Sequence, residues 1–186
     1  SLDPAQANTF HALQLISALG DTLYTFDMNG ELSPKLAKDK PIITNNGLTI
    51  SIPLRENILF HDGTRFDAES MVFSIKRFMK IGTLSYILGD RLASIEAAEP
   101  YLIRLQLNKP SSSINGLLTS INLTPISPES YKDHKDKFLN KQFIGTGPYQ
   151  LKNFGTQHQT IVPFPLYWNK LPKNSGIDFI SLSNST

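Results

Sequence analysis

Segments with strand-like and helix-like periodicity alternate irregularly along the 186-residue chain, and this arrangement constrains the fold more than any other feature. Residues 48–54 alternate apolar and polar side chains with a period of two, as a half-buried strand does. Asp67 is a suitable N-cap for a helix whose apolar positions, from Ala68 to Met79, recur at helical spacing. Because strands and helices do not follow a regular βαβ order, the pattern predicts an α+β fold.

Two more helices are predicted from capping residues. Asn8 or Thr9 can cap a helix near the start of the chain, and Gly20 can end it. Its apolar face is expected to hold Phe10, Leu13, Ile16 and Leu19. The Ser127-Pro128-Glu129 sequence joins a cap, a first-turn proline and a first-turn acid, which predicts a helix over residues 128–138.

The other predicted elements are loops and strands. The stretch from residue 29 to 47 contains glycines and prolines among polar residues and is interpreted as a loop. Pro53 favours an edge position for the strand over 48–54, because proline donates no hydrogen bond to a neighbouring strand. A β-hairpin is expected over residues 92–98 and 101–107, and further strands over residues 149–154, 160–165 and 177–182.

Composition excludes several classes of function. There are 18 Lys and Arg against 16 Asp and Glu, with no basic run, so nucleic-acid binding is not expected. The chain has no cysteine, which rules out disulfides and thiol chemistry and leaves the cellular compartment open. No apolar run reaches the roughly 20 residues of a membrane span, and the start lacks a signal-like segment, so any signal peptide is expected to have been removed.

Motifs for catalysis or metal binding are also lacking. The four histidines do not have the spacing that pairs two imidazoles on one helix face, and no Ser lies in a G-x-S-x-G sequence, so no metal, cofactor or serine nucleophile is expected. His61, next to Asp62, is expected to be a solvent-exposed turn residue. Gly145-Thr146-Gly147 is interpreted as a turn, because Pro148 interrupts any helix start that a dinucleotide site needs.

Two features have more than one interpretation. Some pair of carboxylates could face each other across a cleft, as in a secreted hydrolase, but sequence spacing cannot show it. Aromatic residues could line a binding face or fill the core. They are Tyr86, Tyr149, Phe164, Tyr167 and Trp168.

Several segments, read in order, resemble one protein family. Leu2-Asp3-Pro4 opens the chain, and residues 47–74 include a strand followed by "HDGTRFDAESMVFS", similar to the family's "DGTPFTAEDVVFS". "GTGPY" at residues 145–149 and "YWN" at residues 167–169 follow in the same order. The chain thus resembles the bacterial extracellular solute-binding proteins of family 5. Arg65 and Asp67 replace the family's usual proline and threonine, and both suit a turn followed by an N-cap.

The resemblance implies a receptor outside the membrane, periplasmic or lipid-anchored at the cell surface. Such a receptor captures a solute, most often a peptide or nickel complex, and delivers it to an ABC permease. It implies a periplasmic-binding-protein-like fold that contains a mixed sheet with flanking helices. Residues 1–28 and 144–186 are expected in the first lobe and residues 29–143 in an accessory domain. The second lobe is expected beyond Thr186. A structural domain that binds nothing by itself is the remaining alternative.

The resemblance also implies ligand-binding residues. They are Asn8, Thr9, Tyr86, Gly145, Thr146, Gly147 and Tyr149. Each has a structural interpretation as well, because Asn8 or Thr9 can cap a helix and the glycines can form a turn.

Overall fold

The computed structural model of the chain describes residues 1–134 and 136–180. Helices and strands are interleaved, which confirms the α+β prediction. The helices are α1 (Phe10–Leu19), α2 (Ala68–Ile81), α3 (Tyr86–Gly89), α4 (Ile114–Leu118) and α5 (Pro128–Tyr131). The strands are β1 (Tyr24–Phe26), β2 (Leu32–Pro34), β3 (Ile42–Thr44), β4 (Thr49–Pro53), β5 (Leu92–Glu99), β6 (Leu102–Leu107), β7 (Tyr149–Phe154), β8 (His158–Pro163) and β9 (Ile177–Ile180).

The strands form three antiparallel sheets within the described residues, so the mixed sheet that the resemblance implied is not observed there. β1 pairs with β2, β3 to β6 form a sheet in the order β3-β4-β6-β5, and β7 to β9 form a sheet in sequence order. The predicted hairpin is therefore confirmed as β5 and β6. The prediction that the Pro53 strand lies at an edge is wrong, because β4 lies between β3 and β6. Pro53 is tolerated there because the pairing with β3 ends at Ser51.

Helix α1 has the predicted ends but a different buried face. The Thr9 hydroxyl accepts a hydrogen bond from the Ala12 amide at 3.3 Å, and Gly20 ends the helix. The buried positions are Ala12, Leu15, Ile16 and Leu19, spaced by three and four. Phe10 was predicted to lie on this face, but its side chain is 83% exposed. Residues spaced by three do not stay on one side of a helix with 3.6 residues per turn. The first residue of the predicted stripe, Phe10, therefore points away from the core.

Helix α2 follows the prediction from its N-cap onward. The Asp67 carboxylate accepts from the Ser70 amide and the Ser70 hydroxyl accepts from the Asp67 amide, which makes a capping box. Met71, Val72 and Ile75 are buried, and the helix packs against β5 and β6. The substitution of the family's usual threonine by Asp67 thus preserves the start of the helix.

The helix predicted over residues 128–138 is shorter than expected. After α5 the chain continues in a 3-10 turn at Lys132–His134. Two buried side chains capture the backbone beyond it. Arg77 donates to the Lys137 carbonyl at 2.6 Å, and Asp3 accepts from the Leu139 amide at 2.8 Å. These tertiary hydrogen bonds replace the helical ones that the local sequence favoured.

The remaining strand predictions differ mainly at their ends. β8 begins at His158 rather than Thr160, and β9 covers Ile177–Ile180, while residues 181 and 182 lie outside the described residues. The predicted loop over 29–47 contains the short strands β2 and β3. Helices α3 and α4 were not predicted, since each has only four or five residues.

Two hydrophobic clusters fill the interior. The larger one packs β4, β5 and β6 against α2 and α4 and includes Leu23 and Tyr24. The second packs α1 against β7, β8 and β9 and includes Tyr131 and Phe143. Of the helices that the structure describes, none is long and apolar enough to cross a membrane.

Candidate functional site

A buried ion pair anchors the start of the chain. The Asp3 carboxylate accepts from both terminal nitrogens of Arg77, at 2.8 and 2.5 Å, and from the Ala5 amide at 3.0 Å. Both side chains are almost completely buried, at 0% and 2% exposure. Asn122 adds hydrogen bonds to the carbonyls of Pro4 and Ala7, at 2.8 and 2.9 Å. The Leu-Asp-Pro motif thus holds residues 4–7 rigidly.

This anchoring exposes the N-terminal end of α1. Asn8, Thr9 and Phe10 are all exposed. Beside them lies an open cavity of about 530 Å³. It is lined by Ser1, Gln6, Asn8, Thr83, Asn140, Lys141 and Phe154. The Thr83 amide donates to the Ala5 carbonyl at 3.0 Å, which brings the segment before α3 to the same region.

Tyr86 extends this exposed region. It is the first residue of α3, three residues after Thr83, and its side chain is 65% exposed. The structure therefore brings Asn8, Thr9 and the segment leading to Tyr86 together, although Tyr86 does not line the cavity. We call the surface formed by Gln6, Asn8, Phe10, Thr83 and Lys141 the N-terminal face.

Gly145, Thr146 and Gly147 lie at the other end of α1 and are buried. A Cβ atom on Gly147 would lie 2.4 Å from the Leu19 carbonyl carbon, and one on Gly145 would lie 2.3 Å from the Phe143 ring. The Gly147 amide donates to the Leu19 carbonyl at 3.0 Å. With about 1.5 Å of rise per residue, the ten-residue helix separates these glycines from Thr9 by about 15 Å.

Thr146 belongs to a buried hydrogen-bond cluster around Asp21. The Asp21 carboxylate, 2% exposed, accepts from the Thr146 hydroxyl at 3.0 Å, the Tyr167 hydroxyl at 3.0 Å and the Trp168 indole at 2.9 Å. Lys35 lies 3.4 Å away. Burial and the Asp21 charge raise the pKa of Tyr167, which keeps its hydroxyl a donor. We call Asp21 with these four partners the Asp21 cluster.

His61 packs onto the same end of α1. Its Nε2 lies 3.0 Å from the Gly147 carbonyl and must donate to it, and its ring contacts Phe164 edge-on at 4.9 Å. Its Nδ1 is buried and has no partner among the described residues. Burial lowers the pKa of His61, against the opposing effects of the Gly147 hydrogen bond and of Asp21 and Asp62. The prediction that His61 is solvent-exposed is therefore wrong.

Asp62 organises the turn that carries His61. Its carboxylate accepts from the Thr64 amide at 3.0 Å, from the Ser130 hydroxyl at 2.7 Å and from the Ser127 hydroxyl. Burial raises the pKa of Asp62, but these hydrogen bonds outweigh it and leave the pKa below its ordinary value. The Asp-Gly-Thr motif therefore ties its turn to the start of α5.

The aromatic candidates divide between core and surface. Phe164 is buried, and Tyr167 and Trp168 donate to Asp21. Tyr149 is half-buried, and its hydroxyl donates to Asn174 at 2.9 Å. Tyr86 is mostly exposed. The core interpretation therefore applies to Phe164, Tyr167 and Trp168, and Tyr86 keeps a surface that a ligand could contact.

Acidic residues do not form an evident catalytic or metal site. Within residues 1–134 and 136–180, no three His, Asp or Glu side chains lie where they could share a metal ion. One cavity of about 460 Å³ is bordered by Asp67, Glu69 and Glu129. Asp67 caps α2, and Glu129 pairs with Lys132 at 2.5 Å. Two of these three carboxylates therefore already have structural partners.

Sequence reasoning did not single out Asp21, or Gln6 and Lys141, which line the cavity, and it placed Phe10 in the core. Asp21 directly follows the predicted helix stop, and no local pattern distinguishes an acid that will be buried. Phe10 was misassigned to the core because its spacing resembles a helical stripe. A helical stripe combines steps of three and four residues. Ala12, Leu15, Ile16 and Leu19 have this spacing, and Phe10 does not belong to the stripe.

Comparison with known proteins identifies the family. Residues 31–186 match the model described as bacterial extracellular solute-binding proteins, family 5 Middle. The glutathione-binding protein GsiB of Escherichia coli O1:K1 is 29% identical over 181 residues, which cover 95% of this chain and 35% of GsiB. The chain therefore spans about a third of the length of that relative.

Solved structures show the same fold. MoaA of A. tumefaciens R10, in complex with mannopinic acid, superposes with a TM-score of 0.89 and 23% identity over 99% of this chain and 38% of MoaA. OppA of Listeria monocytogenes, bound to peptide, superposes with a TM-score of 0.84 and 22% identity, over 98% of this chain and 40% of OppA. The fold is thus an α+β part of the periplasmic-binding-protein-like fold, and the chain belongs to the extracellular solute-binding proteins of family 5.

Proposed function

We propose that this chain is part of the solute-binding component of an ABC-type importer. In this role it captures a solute outside the membrane and delivers it to a membrane permease. The observation that carries the proposal is the N-terminal face, where a rigid backbone presents exposed Asn8, Thr9 and Phe10 beside an open polar cavity. Exposed aromatic and polar groups on a rigid support are what a small-molecule site needs.

Peptides are the solute class that we propose first. One similar protein is named for binding glutathione, and another was solved with a bound peptide. A family of this kind works by closure, in which the solute binds the closed form more tightly and shifts the population towards it. A second lobe would supply the opposing wall, and the N-terminal face would supply the first.

The packing supports a division into two regions. We propose that residues 1–28 and 144–186 contribute to the first lobe and residues 29–143 form an accessory domain. In support, α1 packs with β7, β8 and β9 in one hydrophobic cluster, while β4 to β6 and α2 pack in the other. Leu23 and Tyr24, from the proposed first lobe, pack in the cluster of the accessory domain. Tyr131 and Phe143, from the proposed accessory domain, pack in the cluster of the first lobe, so the two clusters exchange residues on either side of the division.

The seven candidate ligand residues receive two roles in this proposal. Asn8, Thr9 and Tyr86 face the solute, since all three are exposed and Thr83, three residues before Tyr86, donates to the Ala5 carbonyl near the start of α1. The other four residues hold the opposite end of α1 together: Gly145, Thr146 and Gly147 are buried and Tyr149 is half-buried. They affect solute binding only by keeping the rest of the site in place.

The proposal extends to location and chemistry. We propose a periplasmic or surface-anchored protein that has no enzymatic activity, because the matched family is described as extracellular and solute-binding. A carboxylate-dependent hydrolase is not favoured, since Asp67 and Glu129 have structural partners.

Calorimetric titration tests the proposal. Residues 1–186, and any longer chain that the gene encodes, are titrated with a tripeptide mixture and with glutathione. Asn8→Ala and Phe10→Ala should weaken binding about tenfold or more, whereas Asn46→Ala, on an exposed turn elsewhere, should leave it unchanged. Binding by the longer chain but not by residues 1–186 would favour a structural domain that needs its second lobe. Failure of both would contradict the proposal.

A further inference from the structure

Three segments that are separate in sequence form a second surface, and none of their residues belongs to the N-terminal face. They are residues 38–44, 55–57 and 166–173. Arg55 joins them, because its amide donates to the Leu36 carbonyl at 2.9 Å and its guanidinium lies over the Trp168 ring at 5.2 Å. A cavity of about 420 Å³ between the segments is lined by Lys38, Arg55, Glu56, Asn57 and Trp168. We call these three segments the basic face.

The basic face carries a net positive charge. Its cations are Lys38, Lys40, Arg55, Lys170 and Lys173, and its acids are Asp39 and Glu56, which gives a formal charge of +3. The whole chain has a formal charge of +2, so all other residues together carry −1. Among the described residues, none of the five cations has a carboxylate within 4 Å. The positive charge of the protein is therefore concentrated on this face.

The same face exposes four large apolar side chains. Ile42 and Ile43, in β3, are 53% and 57% exposed, and Leu166 and Leu171, after β8, are 61% and 49% exposed. Both isoleucines lie on a strand at the edge of the β3-β4-β6-β5 sheet. Exposed aliphatic side chains that are grouped in this way are typical of a surface that contacts a partner.

The apolar and charged positions lie close together. The Lys38 amide donates to the Pro53 carbonyl at 2.8 Å, and Ile42 pairs with Ser51 in the same strand. Two residues of a strand span about 7 Å, so Lys38 and Ile42 are placed about that far apart along β4. In the third segment the two lysines and the two leucines alternate within eight residues. Cations and aliphatic side chains are thus mixed on one face.

This mixture fits the surface of a lipid bilayer. Aliphatic side chains gain free energy when they leave water for the boundary of the acyl chains, and cations are attracted to anionic headgroups. We infer that the basic face docks on a membrane that contains anionic phospholipids. The inference goes beyond the proposed solute binding and does not depend on it, since it assigns the side of the protein that is turned towards the membrane.

Vesicle flotation tests the inference. The chain is mixed with vesicles of pure phosphatidylcholine, or of phosphatidylcholine and phosphatidylglycerol in equal parts. It should float with the anionic vesicles and not with the neutral ones. Raising NaCl from about 0.1 to about 1 M shortens the Debye length from about 10 to about 3 Å, so it should release most of the bound protein. Titration of Trp168, the single tryptophan, gives the affinity by fluorescence.

Charge variants locate the binding surface. Lys170→Gln combined with Lys173→Gln should weaken binding to anionic vesicles about fivefold for each lysine removed. Lys76→Gln combined with Lys152→Gln is the matched control, because it removes the same charge at exposed positions outside the basic face. The control pair should change the affinity by less than about twofold, since salt screens charges that are far from the membrane.

Apolar variants test the second component. Leu166→Ser combined with Leu171→Ser should weaken binding to anionic vesicles about tenfold, because two aliphatic side chains no longer enter the bilayer boundary. Thermal unfolding followed by Trp168 fluorescence checks that this variant is folded. The lysine pairs, at exposed positions, decide the inference independently of the leucine pair.

Three outcomes would overturn the inference. The first is no binding to anionic vesicles, which would leave a protein as the partner of this face. The second is equal weakening by the two lysine pairs, because the total charge and not the basic face would then be responsible. The third is equally tight binding to neutral vesicles. The proposed function would stand in each case, since solute titration tests it separately.

Discussion

The two ends of helix α1 both carry candidate ligand residues, but they differ in burial and packing. At the N-terminal end, Asn8, Thr9 and Phe10 are exposed beside an open cavity. At the C-terminal end, Gly145 and Gly147 are buried so tightly that a Cβ atom on either would overlap its neighbours. The difference teaches that one family pattern can combine residues that hold the fold with exposed residues that we propose to contact the solute.

The Asp21 cluster explains why the C-terminal end is closed. The carboxylate of Asp21, two residues after the end of α1, connects this helix end to Thr146 of the glycine motif and to Tyr167 and Trp168 of the later motif. Arg55 lies over the Trp168 ring at 5.2 Å, and its Nε donates to the Lys35 carbonyl. Two motifs that are distant in sequence therefore meet at one buried carboxylate.

Removal of the Asp21 carboxylate should have the largest effect. Asp21→Ala leaves the Thr146, Tyr167 and Trp168 donors without their acceptor, so the free energy of unfolding should fall by about 3 kcal/mol. Urea denaturation followed by tryptophan fluorescence measures it, since Trp168 lies in the cluster. Asp133→Ala, at an exposed position, should change stability by less than about 0.5 kcal/mol. Equal effects of the two variants would contradict a structural role for the cluster.

A methyl group at Gly147 tests the close approach to α1. Gly147→Ala should lower the free energy of unfolding by about 2 kcal/mol, because its Cβ would overlap the Leu19 and Gly20 backbone. Gly116→Ala is the matched control, since its Cβ meets nothing within 4 Å in α4 and alanine favours helix by up to about 1 kcal/mol. Thermal unfolding of the two variants should shift in opposite directions.

Acid should weaken the C-terminal end through His61. Its pKa is lower in the folded protein than the ordinary value near 6.5, so the unfolded chain binds more protons in this range. Stability should be unaffected by His61 above that value and should fall as the pH drops below it, by at most about 1.4 kcal/mol per pH unit. Below about pH 4, protonation of Asp62, whose pKa is also lowered, should reduce stability further.

The measurement is urea denaturation between pH 7.5 and 5. His61→Gln should lose the pH dependence in this range, and His134→Gln, at an exposed histidine, should keep it. Identical pH profiles for the two variants would argue that another group is responsible.

Truncation of Phe10 should have the smallest effect on stability. Phe10→Ala should change the free energy of unfolding by less than about 0.5 kcal/mol, because the side chain is 83% exposed. Leu15→Ala, on the buried side of the same helix, should cost about 3 kcal/mol. Urea denaturation compares them. A loss above about 1 kcal/mol for Phe10→Ala would mean that the N-terminal end is packed as well, and the contrast between the two ends would fail.

The sequence predicted elements best where local chemistry dominates. The Asp67 N-cap of α2 and the β5–β6 hairpin depend on neighbouring residues, and both predictions were confirmed. The helix after Pro128 was predicted too long, because Asp3 and Arg77 bind the backbone beyond it from positions far away in sequence. Strands β1 to β3 escaped prediction because three residues are too few to show a period.

By itself, the sequence determined the α+β class, the family resemblance and the candidate residues at both ends of α1, because spacing, caps and motif order are local or ordered along the chain. Only the tertiary structure decided which candidates are buried. The burial of the Asp21 carboxylate and of His61 Nδ1, and the exposure of Phe10, depend on contacts between distant segments. Local periodicity does not encode such contacts, since they form only when both hydrophobic clusters are packed.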